Sequence, residues 1–247
     1  DLPPEFLLTH PLSSSRISDA FNAAENLSSE GTKRDTLEFS LMKVRLEIYY
    51  ENIPSNALRR FQERVKEDPT DANLYGLALA HNKNNNNEES LNLIDNIISM
   101  YPKNLVLNNT KIDILFESDK DKEALSLVNK FLEISPRNYP LSISKAKILL
   151  AMKKYFESEE IIRDQLLTKN NNPELWLLLS EIQRSSKNIV GYHQSRAEYF
   201  LLLGQNERAL NQLEFALKLT QNNFQISERI MTKIIQIKKV ISDSRGL

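Results

Sequence analysis

The stretches ALRRFQERVKEDP (residues 57–69), SLNLIDNIISMYP (90–102) and ALSLVNKFLEISP (124–136) decide the fold. Each opens on a small residue, carries a bulky apolar residue one helical turn later, and closes on proline. The prolines stand at 69, 102 and 136, so the intervals are 102 − 69 = 33 and 136 − 102 = 34. Proline has no N–H to donate and disfavours helical geometry in the residue before it, so it stops a helix at the same point of each stretch. The small residues are Ala57, Ser90 and Ala124, where two helices can cross closely. The bulky ones are Phe61, Ile94 and Val128, and the last turn offers Val65, Ile98 and Leu132.

A period of about 34 residues with these three kinds of position at fixed offsets is the pattern of the tetratricopeptide repeat (TPR), a helix–turn–helix unit. It runs on in both directions. Units are expected at about 38–71, with Leu41, Val44 and Ile48 on the inner face of the first helix, and at 72–104, 105–138 and 139–172. Asn170-Asn171-Asn172-Pro173 punctuates the chain again, and Trp176 and Leu179 open a unit at 173–203. Beyond it the spacing breaks. Ala209, Leu213 and Ala216 fit a second helix, with Gly204 at the turn before it and Ala197 and Phe200 on the first helix. That unit, at 190–223, overlaps the previous one, so the segment from Val190 to Leu203 serves twice. A helix at about 223–241, apolar at Ile226, Ile230, Ile234, Ile237 and Ile241, is expected to cap the stack, since terminal repeats of solenoids are usually atypical.

The expected fold is therefore all-α: a TPR-type helical-hairpin solenoid, wound as a right-handed superhelix and preceded by a short N-terminal helical segment. A single hairpin cannot bury its apolar stripe, so stacking on its neighbours supplies the core. First helices then line a groove. In the repeat register the groove-facing positions include Tyr75, Asn82, Asn109, Asp113, Phe116, Lys147 and Arg184. Amide, aromatic and charged groups of this kind suit an extended peptide or a protein surface. The run Asn82-Lys83-Asn84-Asn85-Asn86-Asn87 reads as a polar turn between two helices, because asparagine tolerates the left-handed backbone and disfavours helix.

Composition excludes several classes of function. Of the 247 residues, 40% are apolar and 26% charged, with a net charge of −1 and both signs interspersed, so no basic stripe is present to displace counterions from nucleic acid. No run of about 18 apolar residues exists to span a bilayer. Cysteine is absent, which removes disulfides and thiolate metal sites. No glycine-rich phosphate loop and no histidine cluster is seen, so no catalytic residue is expected. The chain opens on Asp1 without a signal-like segment and reads as a processed or excised fragment.

Residues 1–37 lie outside the repeats, with a helix expected at about 14–27 that packs on the first hairpin through Phe21 and Leu27. Thr9-His10-Pro11, followed by Arg16-Ile17, resembles the closing element of the M48 class of zinc metallopeptidases. With a TPR array behind that element, the chain resembles the C-terminal half of BepA-like, β-barrel assembly-enhancing proteases of the Gram-negative periplasm. The resemblance implies a periplasmic location, zinc in the parent protease, and protein partners: the chain's own protease domain, outer-membrane β-barrel clients or their assembly machinery. It also implies that His10 is a regulatory zinc ligand in the intact parent and that Arg16 edges the cleft.

The departure from that family is equally plain. A zincin needs His-Glu-x-x-His on one helix, and none of His10, His81 and His193 belongs to such a motif. This chain by itself is expected to hold no cofactor and to cut nothing. Two functions are expected: by the resemblance, the non-catalytic, protein-binding part of a periplasmic M48 zinc metalloprotease; from the repeats alone, a stand-alone TPR adaptor or co-chaperone.

Overall fold

The computed structural model describes residues 36–220 and 222–245. The chain divides into two compact units, Asp1–Ser40 and Leu41–Leu247. In the first, the described residues open a helix that Thr36 caps: its hydroxyl accepts from the Phe39 N–H at 3.2 Å, and its carbonyl accepts from the Ser40 N–H at 3.1 Å. His10, Arg16, Phe21 and Leu27, and the helix expected at 14–27, lie outside the described residues.

All regular elements among the described residues are α-helices, twelve in number. They are α1 (Leu37–Tyr50), α2 (Pro54–Glu67), α3 (Asp71–Lys83), α4 (Asn87–Met100), α5 (Leu105–Glu117) and α6 (Asp121–Ile134). Then come α7 (Tyr139–Ala151), α8 (Tyr155–Leu166), α9 (Pro173–Ser185), α10 (Ile189–Leu202), α11 (Asn206–Leu219) and α12 (Phe224–Arg245). From α2 onward each helix packs on the next along the chain, and α5 also touches α7 across one hairpin. That is solenoid packing, and the expectation of an all-α TPR-type stack is met.

Both ends of the helices repeat with the period of the sequence. Thr70, Asn104, Asn138 and Asn172 cap α3, α5, α7 and α9, each accepting a backbone N–H of the first turn, and they are spaced by 34 each time (104 − 70, 138 − 104, 172 − 138). A side-chain oxygen there satisfies an N–H that has no partner within the helix. The turns inside the hairpins repeat as well. Asn85, Asp119, Lys153 and Lys187 take positive φ near 60°, again 34 apart, and Gly204 follows only 17 residues later (204 − 187). At each turn the next N–H reaches back to a carbonyl five residues earlier, as in Asn86 to His81, Lys120 to Leu115, Lys154 to Leu149, Asn188 to Gln183 and Gln205 to Phe200. This is the Schellman closure of a helix C-terminus.

Within a hairpin the two helices meet at a small residue. Ser90 and Ser158 donate through their hydroxyls to the carbonyls of Ala78 and Ala146, both at 2.7 Å, so serine crosses as closely as alanine and satisfies its own polar group. Ala57, Ala124 and Ala209 occupy the same position fully buried. Phe61, Ile94 and Val128 are buried beside them, as are Val44, Ala78, Ile112, Ala146 and Ser180, which recur every 34 residues on the first helices. Gly76 is required where α2 and α3 cross, because a Cβ there would overlap the Phe61 ring.

The helix α10 packs on both α9 and α11. Gly191 and Ser195 face back to Gln183, whose amide oxygen accepts from the Ser195 hydroxyl at 2.7 Å. Ala197 and Phe200 face forward into a core with Ala209, Leu213, Ala216, Ile230, Ile234 and Ile237.

Candidate functional site

First helices α1, α3 and α5 line a groove of about 540 Å³. Its walls are Ile48, Tyr49, Leu79 and Ile114 on the apolar side, with Asn82, Lys83, Asn85 and Glu117 at the polar rim and Arg45, Thr110 and Asp113 at the floor. The floor is a connected network. Asp113 accepts from Arg45 Nη2 at 3.2 Å, from Asn109 Nδ2 at 3.1 Å and, through its other oxygen, from the Ser144 hydroxyl at 2.8 Å. Thr110 donates to the Val106 carbonyl and so accepts from the Tyr75 hydroxyl at 2.9 Å, and from Arg45 Nη1 at 3.2 Å. One carboxylate thus joins side chains of α1, α5 and α7, and Tyr75 brings in α3. A connected network of this kind fixes its side chains more firmly than separate pairs would.

The electrostatics follow from that arrangement. Burial works against the Arg45 guanidinium, but its interactions and hydrogen bonds with Tyr75 and the Asp113 carboxylate outweigh it, and its pKa lies above the ordinary arginine value. Arg45 directs up to three of its five N–H groups at Tyr75, Thr110 and Asp113. At the rim the Lys83 ammonium donates to the carbonyls of Ile48 at 2.6 Å and Glu51 at 2.5 Å, closing the C-terminus of α1. A cation is favoured there by the helix dipole. Asn82 donates to Glu117, while its own amide oxygen is buried without a partner.

The seven groove positions read from the sequence do not all meet. Tyr75, Asn109 and Asp113 share the floor network, and Asn82 sits at the rim of the same groove. Tyr75 is fully buried, so it supports the floor and presents no ring to a ligand. Phe116 leans into the core of its own hairpin with Ile112, Leu115, Ala124 and Val128. Lys147 and Arg184 are exposed on α7 and α9. Arg45, Thr110 and Ser144 belong to the network and escaped the sequence reading. For Arg45 the signal was an opposite charge two repeat lengths away, since 113 − 45 = 68, and Thr110 and Ser144 carried none.

No group of three His, Asp or Glu side chains among the described residues is placed to hold a metal. His193 bonds Gln212 through Nδ1 at 2.9 Å and stacks on Phe215 with ring centres 5.5 Å apart. His81 lies beside Asn86 at 3.5 Å. The described residues therefore do not fit a zinc centre. No described helix is long and apolar enough to cross a membrane.

Caps, left-handed turns and small-residue crossings at a 34-residue period define the class: a TPR-type helical-hairpin solenoid. The sequence matches no protein-family model and no curated protein. Among solved structures the chain is similar to PilF of Pseudomonas aeruginosa, at 15% identity over 81% of this chain and 90% of that one, with a TM-score of 0.56. It is similar to PilW, described as a widely conserved type IV pilus biogenesis factor, at 16% identity over 81% of this chain and 100% of that one, with a TM-score of 0.55. A thermophilic TPR protein from Thermus thermophilus aligns at 18% identity over 80% of this chain and 98% of that one, with a TM-score of 0.47. At such identities the likeness is one of fold.

Proposed function

We propose that this chain is a protein-binding scaffold whose groove between α1, α3 and α5 takes a polypeptide segment. The observation that carries this reading is the groove itself: about 540 Å³, open, apolar on one wall and held rigid by a polar floor. Rigid side chains lose little freedom on binding, which favours recognition over a loose surface. Arg45, Leu79 and Asp113 of the groove stand 34 apart, and the same step reaches the exposed Lys147 and Glu181, so an extended ligand running on past the groove along this row would meet charges of alternating sign. An array of immobilised twelve-residue peptides probed with the full chain tests the proposal. A defined subset should bind, and Lys147→Glu, an exposed change, should weaken that subset about tenfold while Asp113→Asn shifts its ranking. Indifference of every peptide to both substitutions would remove the groove as a binding site.

A narrower reading places the scaffold in the periplasm of a Gram-negative bacterium, serving an M48 zinc metalloprotease and recruiting outer-membrane β-barrel proteins or their assembly machinery. What supports it is Thr9-His10-Pro11 with Arg16-Ile17 ahead of the repeats. In that reading the zinc belongs to the protease domain, and His10 reaches it as a regulatory ligand. Mass-spectrometric mapping of the natural gene product decides it. A His-Glu-x-x-His peptide covalently continuous with residue 1 supports the narrower reading. Its absence leaves the stand-alone adaptor, with the groove reading untouched.

A further inference from the structure

Two hairpin turns carry equivalent furrows, and a third turn repeats their pattern with one charge reversed. Counted from the left-handed turn residue, the pattern is a base eight positions before, a bulky apolar residue four before and a charged residue four after. Around Asp119 these are Lys111, Leu115 and Glu123, and around Lys153 they are Lys145, Leu149 and Glu157. Each set lines a furrow, of about 350 and 320 Å³ respectively. In both, a carboxylate answers a cation: Asp95 meets Lys111 at 2.5 Å, and Glu157 meets Lys154 at 3.7 Å. Around Gly204 the set is Arg196, Phe200 and Arg208, so a second cation stands where the other two turns have glutamate.

The two arginines converge on one ring. Their Cζ atoms lie 4.9 Å (Arg196) and 4.3 Å (Arg208) from the centre of Phe200, and Arg196 also lies over Tyr199 at 5.5 Å. The ring attracts each guanidinium, but the two repel one another. Among the described residues neither forms an ion pair. Arg208 donates through Nη1 to the Gln205 amide oxygen at 2.7 Å, and the buried Nε of Arg196 has no acceptor. Arg196 is half-buried and Arg208 exposed, so the pair is open to solvent. It stands on α10 and α11, at the other end of the stack from α1, the helix that follows residues 1–35 in the chain.

We propose that Arg196 and Arg208 form a clamp for a carboxylate of another polypeptide, an acidic segment whose Asp or Glu side chain bridges the two guanidinium groups. A carboxylate is what the fold itself supplies to the cations of the two equivalent furrows. The guanidinium fork also matches its planar pair of oxygens. The clamp lies on different helices from the groove, and the two stand or fall independently.

The probe is a fluorescein-labelled peptide of six glutamates between Gly-Ser flanks, with the corresponding glutamine peptide as control. Binding to the full chain is followed by fluorescence anisotropy at low ionic strength, where exposed charges are least screened. The glutamate peptide should bind about tenfold more tightly than the glutamine one. Arg208→Glu restores the charge of Glu123 and Glu157 and suits the N-terminus of α11, so the fold should hold while affinity falls about tenfold. Arg59→Glu, the same change of net charge at an exposed residue of α2, should leave binding unchanged. In proton–nitrogen NMR the Arg196 Nε–H signal should move with the glutamate peptide and stay still with the glutamine one. Equal losses in the two variants, or an unmoved Arg196 signal, overturn the proposal. So does displacement of the peptide by inorganic phosphate at an equal concentration of charge, which makes a free oxyanion the occupant. The ratio of affinities between the parent chain and Arg208→Glu should not change when every Asp and Glu of residues 1–35 is replaced by its amide. A larger ratio overturns the proposal too, by assigning the clamp to the chain's own carboxylates.

Discussion

Arg45 on α1 and Asp113 on α5 are 68 residues apart in the chain and 3.2 Å apart in space, joined over the buried Tyr75 of α3. The pair ties together hairpins that are not neighbours in sequence. Both side chains remain about a third exposed, so water screens them and their mutual attraction is worth at most about 1 kcal/mol. The hydrogen bonds that Asp113 also receives from Asn109 and Ser144 make it the costlier member to lose. Asp113→Ala is expected to lower stability by about 2 kcal/mol and Arg45→Ala by about 1, because only the former leaves several donors without an acceptor. Urea denaturation of both variants and of the double variant checks this, and a smaller loss for Asp113→Ala would contradict the network.

Gly76 offers a test of packing against propensity. Alanine in a helix interior normally gains about 1 kcal/mol over glycine. Here the added Cβ would collide with the Phe61 ring of α2. Overpacking of this kind costs about 1–3 kcal/mol, so Gly76→Ala should be destabilising. Pairing it with Phe61→Leu should return part of the loss, and simple additivity in thermal unfolding would count against the contact.

The hairpin turns make opposite predictions at equivalent places. Lys153 and Lys187 hold φ of 61° and 65°, a conformation that costs a side-chain-bearing residue about 1 kcal/mol, and Gly204 holds 71°. Lys187→Gly should therefore stabilise the chain and Gly204→Ala destabilise it, each by about 1 kcal/mol. A Cβ at Gly204 would meet nothing within 4 Å, so backbone strain is the sole cause there. Two substitutions shifting the denaturation midpoint in the same direction would refute this.

Glu51 should show in its titration how the α1–α2 turn is held. Its carboxylate accepts the Ile53 N–H and then pairs with Arg60 at 3.0 Å, and these hold its pKa below the ordinary glutamate value. A depressed carboxylate stabilises the fold above its unfolded pKa, and that contribution fades as pH falls through the lower, folded value. A carbon-detected NMR titration should place its midpoint below that of free glutamate. Arg60→Ala should raise it only part of the way, since the backbone bond remains.

Legibility in the sequence followed the strength of the steric rule at each position. Pro69, Pro102 and Pro136 cannot continue a helix, and a close crossing admits only residues such as Ala57 or Ser90, so both announced the repeat. The left-handed turns at Asn85 and Gly204 were readable from residue type, whereas those at Asp119, Lys153 and Lys187 were opaque, because neither aspartate in that place nor lysine announces the conformation. In the groove, register gave direction without depth. Tyr75 and Lys147 point the same way along the count, yet one is sealed under Arg45 and the other stands in solvent. Nothing local marks Arg45, since its partner is two repeats distant. The motif from Thr9 to Ile17 lies outside the described residues and bears on function through resemblance alone.

The turn at Gly204 comes 17 residues after the one at Lys187, half the interval seen before it. Up to that point the array can be lengthened or shortened only by whole hairpins, because any other change would set an inner helix where an outer one belongs. At α10, where Gly191 and Ser195 meet Gln183 of α9 while Ala197 and Phe200 join the core of α11 and α12, one helix plays both parts and the parity of the stack is reset. The quantum of chain length there is a single helix. Insertion or loss of one helix at this joint leaves everything behind it in phase, and so gives the fold a place to change length in half-steps.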